Sequence, residues 1–183
     1  MKRAIFIIGF SCTGKSYLVN DKLKDMYNVS DAAVCDILSV QKKLWEDWED
    51  PTTEQILQSY KVLEDKMIEE LKASDIVIVE HTLLKERRRE QYLDRLLEEF
   101  GDEVEIICHY FPLNDFESWI KNYNERTKMD EITESNDVAL HLYQKAQQVF
   151  EIPRRDEGFD KIVEEKIRNI GNDIKFRGGV IER

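Results

Sequence analysis

The sequence predicts a three-layer α/β fold: a five-stranded parallel sheet with helices on both faces, built as a single domain over residues 1–183. Three observations carry this. Short apolar runs alternate with longer amphipathic segments. The runs are continuously apolar, as strands covered on both faces are. A length of 183 residues suits one domain, with a mobile lid at most, and is cramped for two.

The elements follow in order. Arg3–Ile8 is too short for a typical helix and rich in isoleucine, and forms the first strand. Ser16 to Tyr27 supplies a helix with Leu18, Val19 and Leu23 on its apolar side. "DAAVCD" is a shorter second strand ending at Asp36. From Pro51 a helix runs to about Ala73: Thr52 and Gln55 make a capping box, and Ile56, Tyr60, Leu63, Met67 and Leu71 keep helical spacing. Strands are expected at "DIVIVEH" (75–81), "EVEIICHYF" (103–111) and "FDKIVEE" (159–165). Helices are expected over 86–100, 114–123 and 136–150. Such an alternation implies right-handed crossovers, with ligands bound beyond the carboxyl ends of the strands.

Composition narrows the function. Hydrophobic residues make up 42% of the chain, with three prolines and seven glycines, so most of it should fold. The 27 basic and 38 acidic residues leave a net charge of -11, which disfavours broad adhesion to nucleic acid or anionic lipid. Cys12, Cys35 and Cys108 are far apart and form no CxxC pair, which argues against a disulfide framework or a zinc site and for a reduced, cytoplasmic setting. The first strand is short and followed by a polar helix, so it reads as neither signal peptide nor membrane span.

The most specific signal is "GFSCTGKS". Gly9, Gly14, Lys15 and Ser16 satisfy G-x-x-x-x-G-K-[ST] between a strand and a helix, the context that the pattern requires. It predicts the three-layer P-loop NTPase fold. The amides of Ser11, Cys12, Thr13, Gly14, Lys15, Ser16 and Tyr17 would form a concave anion site at a helix start. Lys15 would bridge the β- and γ-phosphates of ATP, and the Ser16 hydroxyl would ligate magnesium.

The acceptor side must say what happens to the triphosphate. Asp36, at the end of the second strand, fits a general base that takes the proton of an attacking hydroxyl; it equally fits the cap of a helix beginning near Ile37. Glu80, closing the third strand, fits a water-mediated magnesium contact or an ordinary solvated carboxylate. His81 reads as structural, and His109 and His141 carry no metal-ligand spacing.

"KERRRE" (85–90) could meet polynucleotide phosphates, or be a solvated face in which Arg88 pairs with its neighbours and Arg87 with Gln91 or Asp94. "NYNERTKMDEITESNDV" contains Arg126 and Lys128 and reads either as a lid at about 124–140, closing over the phosphates with Arg126 on the transferring group, or as a plain surface hairpin. Arg154 and Arg155 could flank the adenine.

The order of "GFSCTGKS", Asp36, "VIVEHTLLKERRRE", "WIKNYNERTK" and "EGFDKIV" resembles the polynucleotide-kinase-like branch of the P-loop kinases, including the phage-type polynucleotide 5′-kinase domain, from Ala4 to about Val163. The resemblance implies a five-stranded parallel sheet with a helical lid, ATP and magnesium as cofactors, and γ-phosphate transfer to a hydroxyl. It makes Asp36 the base, Lys15 and Ser16 the triphosphate and metal contacts, and Arg126 the lid arginine; it also places a helix start at Thr82. Three positions depart from it. Ser39 stands where members acting on polynucleotide ends commonly carry arginine, Cys12 where many have glycine, and Glu80 where aspartate is usual.

The function expected is therefore phosphate transfer from ATP to a hydroxyl, first of all the 5′-OH of a nucleic acid or a nucleotide-like acceptor. A small-molecule or nucleotide kinase, favoured by the charge and Ser39, is the second reading. A nucleotide-binding switch is the third, and has no use for an acceptor base.

Overall fold

A computed structural model describes residues 1–28, 32–45, 51–129 and 135–168. Its sheet has five strands, β1 (Lys2–Ile8), β2 (Ala33–Asp36), β3 (Ile76–His81), β4 (Val104–Tyr110) and β5 (Lys161–Glu164), all parallel in the order β2-β3-β1-β4-β5. The helices are α1 (Lys15–Tyr17), α2 (Lys24–Tyr27), α3 (Ile37–Leu44), α4 (Thr53–Ala73), α5 (Glu86–Phe100), α6 (Phe116–Met129) and α7 (Asn136–Val149). This is the three-layer α/β arrangement that the alternation of runs predicts.

β1 sits at the centre, which explains its unbroken apolar stretch. Successive side chains of a strand point to opposite faces, so both sets here meet a core. Ala4, Phe6 and Ile8 pack with Leu63, Met67 and Leu71 of α4 and Tyr92, Leu93 and Leu96 of α5. Ile5 and Ile7 pack on the other face with Leu18, Val19 and Leu23. A fully buried side chain such as Phe6 contributes about 1.5–3 kcal/mol relative to exposure.

α4 starts as its capping box dictates: the Gln55 amide N–H donates to Thr52 Oγ1 at 3.3 Å, and the Thr52 N–H to Gln55 Oε1 at 2.8 Å. A third cluster joins α6 to α7 through Leu113, Trp119, Ala139, Tyr143 and Ala146.

Several elements differ from expectation. The helix read over 16–27 is divided by a π-helical segment, Leu18–Leu23, between α1 and α2. α6 continues to Met129, beyond the expected end at Tyr123, because its last turns are held by local polar bonds rather than by apolar spacing. Thr127 Oγ1 donates to Asn124 O at 3.1 Å, and Lys128 pairs with Glu125 at 2.9 Å. The segment expected as a lid thus begins in helix, and Ser135 caps α7 at its other side; residues 130–134 of that expectation lie outside the described residues, as does Asp31 of the second strand. α5 begins at Glu86, so Thr82 lies in the preceding loop rather than at a helix start.

That loop holds a further correction. Arg89 of the "KERRRE" run points inward and is wholly buried. Its guanidinium makes a two-point ion pair with Glu157, at 2.6 and 2.8 Å, and donates to the carbonyls of Leu83, Leu84 and Glu151. Leu83 has φ of 38°, a left-handed conformation that a residue with a Cβ rarely keeps without such support. A basic run read as solvated or phosphate-facing therefore spends one arginine on fixing the turn after β3.

Candidate active site

The loop between β1 and α1 is shaped by its glycines and by one strained residue. A Cβ on Gly9 would lie 2.8 Å from Thr13 Oγ1 and 3.1 Å from Phe111 Cβ, so only glycine fits. Gly14 adopts φ of 103° and offers no side chain to cap the first helical turn. Cys12, where the resembling family has glycine, is held at φ of 62°. Alternation of left- and right-handed residues turns consecutive amides to one side, the geometry of an anion nest. Thr13 is buried, its hydroxyl donating to Phe10 O at 2.8 Å and closing the loop from within.

A cavity of about 280 Å³ opens beside the loop, lined by Ser11, Cys12, Gly14, Lys15, Ser16 and Tyr17 together with Asp36, Glu80, Thr82 and Arg126. Gly9 and Thr13, expected among the nucleotide-binding residues, do not line it. Lys15 Nζ donates to Gly9 O at 2.9 Å and Phe10 O at 3.0 Å. Burial holds its ammonium below the ordinary lysine range, with the Glu80, Cys12 and Asp36 charges opposing that shift.

Strand register brings the carboxylates together. Asp36 and Glu80 are paired positions at the carboxyl ends of β2 and β3, next to the strand that feeds the loop. Glu80 Oε1 accepts from Ser16 Oγ at 2.7 Å. Burial raises the Glu80 carboxyl, while the Ser16 hydrogen bond and Lys15 draw it back. Asp36 does cap α3: Oδ1 accepts from the Leu38 amide at 3.2 Å, and Oδ2 from the Ser39 amide at 2.9 Å and the Ser39 hydroxyl at 2.7 Å. The cap fixes its position on the rim of the cavity. Capping and facing an acceptor are thus compatible at this residue.

Of the two basic residues singled out near the end of α6, Arg126 lines the cavity while Lys128 pairs with Glu125. Tyr17 meets Arg168, whose guanidinium lies 4.4 Å from the ring centroid and donates to the tyrosine hydroxyl. Arg154 is engaged away from the loop, with Glu86 at 2.7 Å and Asp156 at 3.1 Å. In the basic run, Arg88 bonds Gln91 at 3.1 Å and lies over the Tyr60 ring.

Two of the three histidines, His81 and His109, are structural, and His141 is exposed on α7. His81 is buried between Tyr60 and Tyr92; its Nδ1 accepts from the Thr82 amide at 2.7 Å, and burial lowers its pKa to about 3. His109 joins Tyr27, at 2.7 Å, to Glu165, at 2.8 Å. No cluster of three or more metal-ligating side chains of the His, Cys, Asp and Glu types occurs among the described residues. Among them, too, no helix is long and apolar enough to cross a membrane.

Two side chains absent from the sequence-based site touch the loop directly. Trp119 Nε1 donates to Ser11 O at 2.7 Å, and Asn122 Nδ2 to Cys12 O at 3.0 Å. With Arg126 they share one face of α6 at spacings of three and four residues, a pattern visible in "WIKNYNER" but indistinguishable there from an ordinary core-facing stripe.

Fold and loop together define the class: the chain has the three-layer P-loop fold. No family model matches it, and no curated protein does. Solved structures do. A candidate kinase from Chloroflexus aurantiacus J-10-fl superposes with a TM-score of 0.63 at 12% identity, over 90% of this chain and 84% of the other. A gluconokinase from Sinorhizobium meliloti 1021 gives 0.55 at 14%, over 96% and 97%. The PezAT chromosomal toxin-antitoxin system of Streptococcus pneumoniae gives 0.56 at 15%, over 91% and 67%. At such identities the likeness is one of fold, shared with kinases among others.

Proposed function

We propose that the protein transfers the γ-phosphate of ATP to the hydroxyl of a small-molecule acceptor. The observation that carries this is the convergence of Lys15, the Ser16–Glu80 pair and the capped Asp36 carboxylate on one small cavity at the strand ends. The phosphate loop would hold the polyphosphate, with Lys15 leaving its two carbonyl partners to follow charge onto the β,γ-bridge. Ser16 and Glu80 present two oxygen donors 2.7 Å apart, the hard ligand type that magnesium takes directly or through water. When bound, that ion would offset phosphate charge.

Asp36 would orient the acceptor oxygen in line with the γ-phosphorus and receive its proton as the new O–P bond forms and ADP departs. The three hydrogen bonds that this carboxylate already accepts hold its oxygens in place, and orientation is the larger part of its task where the transition state is loose and proton transfer late. Arg126, on the cavity wall, would meet charge on the transferring group.

A small acceptor fits better than a polynucleotide 5′ end. Arg89 is withdrawn into an internal ion pair, Ser39 spends its hydroxyl on Asp36, and the net charge of -11 repels a polyanion. A gluconokinase of the same fold is consistent with this reading.

The test is transfer from radiolabelled ATP to a panel of sugars, sugar acids, amino alcohols, nucleosides, nucleoside monophosphates and 5′-OH oligonucleotides. Label on a small acceptor is expected, and Asp36→Asn should lower that transfer about a hundredfold or more with ATP affinity nearly kept. Label on the oligonucleotide alone would restore the polynucleotide reading, and bound ATP with label on nothing would favour a switch.

A further inference from the structure

We propose that Trp119 and Asn122 of α6 are positioning residues that set the phosphate-binding amides of the loop; this rests on the reading of the loop as a polyphosphate site. Every described peptide bond is trans. In a trans peptide the C=O of one residue and the N–H of the next point in opposite directions. Trp119 Nε1 takes the Ser11 carbonyl at 2.7 Å, and so turns the Cys12 amide the other way. Asn122 Nδ2 takes the Cys12 carbonyl at 3.0 Å and does the same for Thr13. These are consecutive peptide planes on either side of Cys12, the one residue of the loop held at positive φ without being glycine. Two side-chain donors thus hold a conformation that the loop sequence itself disfavours.

Both donors are themselves fixed. Trp119 is wholly buried, its ring stacked on Phe10 of the loop at 5.8 Å and on Tyr123 at 4.9 Å. Asn122 is nearly buried, and the same Nδ2 also donates to Arg168 O at 2.6 Å, beyond β5. An amide nitrogen carries two hydrogens, enough for both carbonyls. The helix that positions the loop is also the helix that carries Arg126 to the cavity wall. Displacing α6 would move the loop carbonyls and the arginine together, so phosphate grip and arginine placement are coupled through one rigid element.

Two near-isosteric variants remove the donors: Trp119→Phe keeps an aromatic ring without its N–H, and Asn122→Leu keeps volume without an amide, releasing the Arg168 carbonyl as well as that of Cys12. Calorimetry on the full chain would measure magnesium–ATP, ADP and tripolyphosphate, with ligand-detected NMR for AMP. Each variant is expected to bind ATP, ADP and tripolyphosphate about tenfold more weakly, the scale of the one hydrogen bond to the loop that each loses, while AMP affinity is unchanged. A merely structural role would weaken AMP as well and would overturn the proposal, as would folded variants with wild-type affinity for ATP and ADP. Should Trp119→Phe not fold, Asn122→Leu decides alone. Wild-type protein that binds no polyphosphate would remove the phosphate-loop reading itself, a result separable from wild-type binding that the variants share.

Discussion

Glu80 and His81 are neighbours in sequence, lie on opposite sides of β3, and are driven by burial in opposite directions along the pH scale. The His81 imidazole falls from an ordinary value of 6.5 to about 3. Between those values the unfolded chain takes up a proton that the folded chain refuses, so this contribution to stability is full above pH 6.5 and is lost as pH falls. The Glu80 carboxyl is raised, so its contribution runs the other way and is lost as pH rises through its folded value. Comparing wild type with His81→Phe separates them: denaturant unfolding at pH 7 and pH 5 should show wild type losing about 2 kcal/mol more than the variant. Equal losses would mean that His81 is protonated in the fold. At this scale the sequence was informative where chemistry repeats a strict pattern, at Gly9, Gly14, Lys15 and Ser16. It could not show that Asp36 both caps and faces the cavity, because one residue after a strand leaves either role open until register sets its neighbours.

Charge along an element misleads when only spacing is known. "KERRRE" looks uniformly polar, yet its three arginines have three environments: Arg89 is wholly buried against Glu157, Arg88 bonds Gln91 over a tyrosine ring, and Arg87 is exposed. The partner that draws Arg89 inward is 68 residues away, beyond any local window. Truncating one member of a buried ion pair leaves the other charge unpaired, so Arg89→Leu should cost about 3–5 kcal/mol and loosen the turn at Leu83. Thermal unfolding checks this, and a loss below about 1 kcal/mol would show that the pair is dispensable. The end of α6 was misjudged for a related reason. Beyond Tyr123 it is sustained by short-range polar contacts such as Lys128–Glu125, which leave no apolar period to read.

At the scale of the whole molecule, the sheet was legible because β1, β3 and β4 are buried on both faces and so write continuous apolar runs into the chain. Strand order was not, since nothing in a run of isoleucines says which strand lies beside it. That order matters to chemistry: β3 between β1 and β2 places Glu80 beside Ser16 on one side and Asp36 on the other. The acceptor is less legible still, because a fold shared with a gluconokinase leaves its identity to side chains around the cavity. Every chemical role assigned here depends on the loop after β1 gripping a polyphosphate. Titration calorimetry of magnesium–ATP into wild type and Lys15→Ala measures that grip directly. The expected result is clear binding to wild type and at least about tenfold weaker binding to the variant at unchanged melting temperature. Absence of heat for any purine triphosphate, or equal affinity in the two proteins, would contradict it.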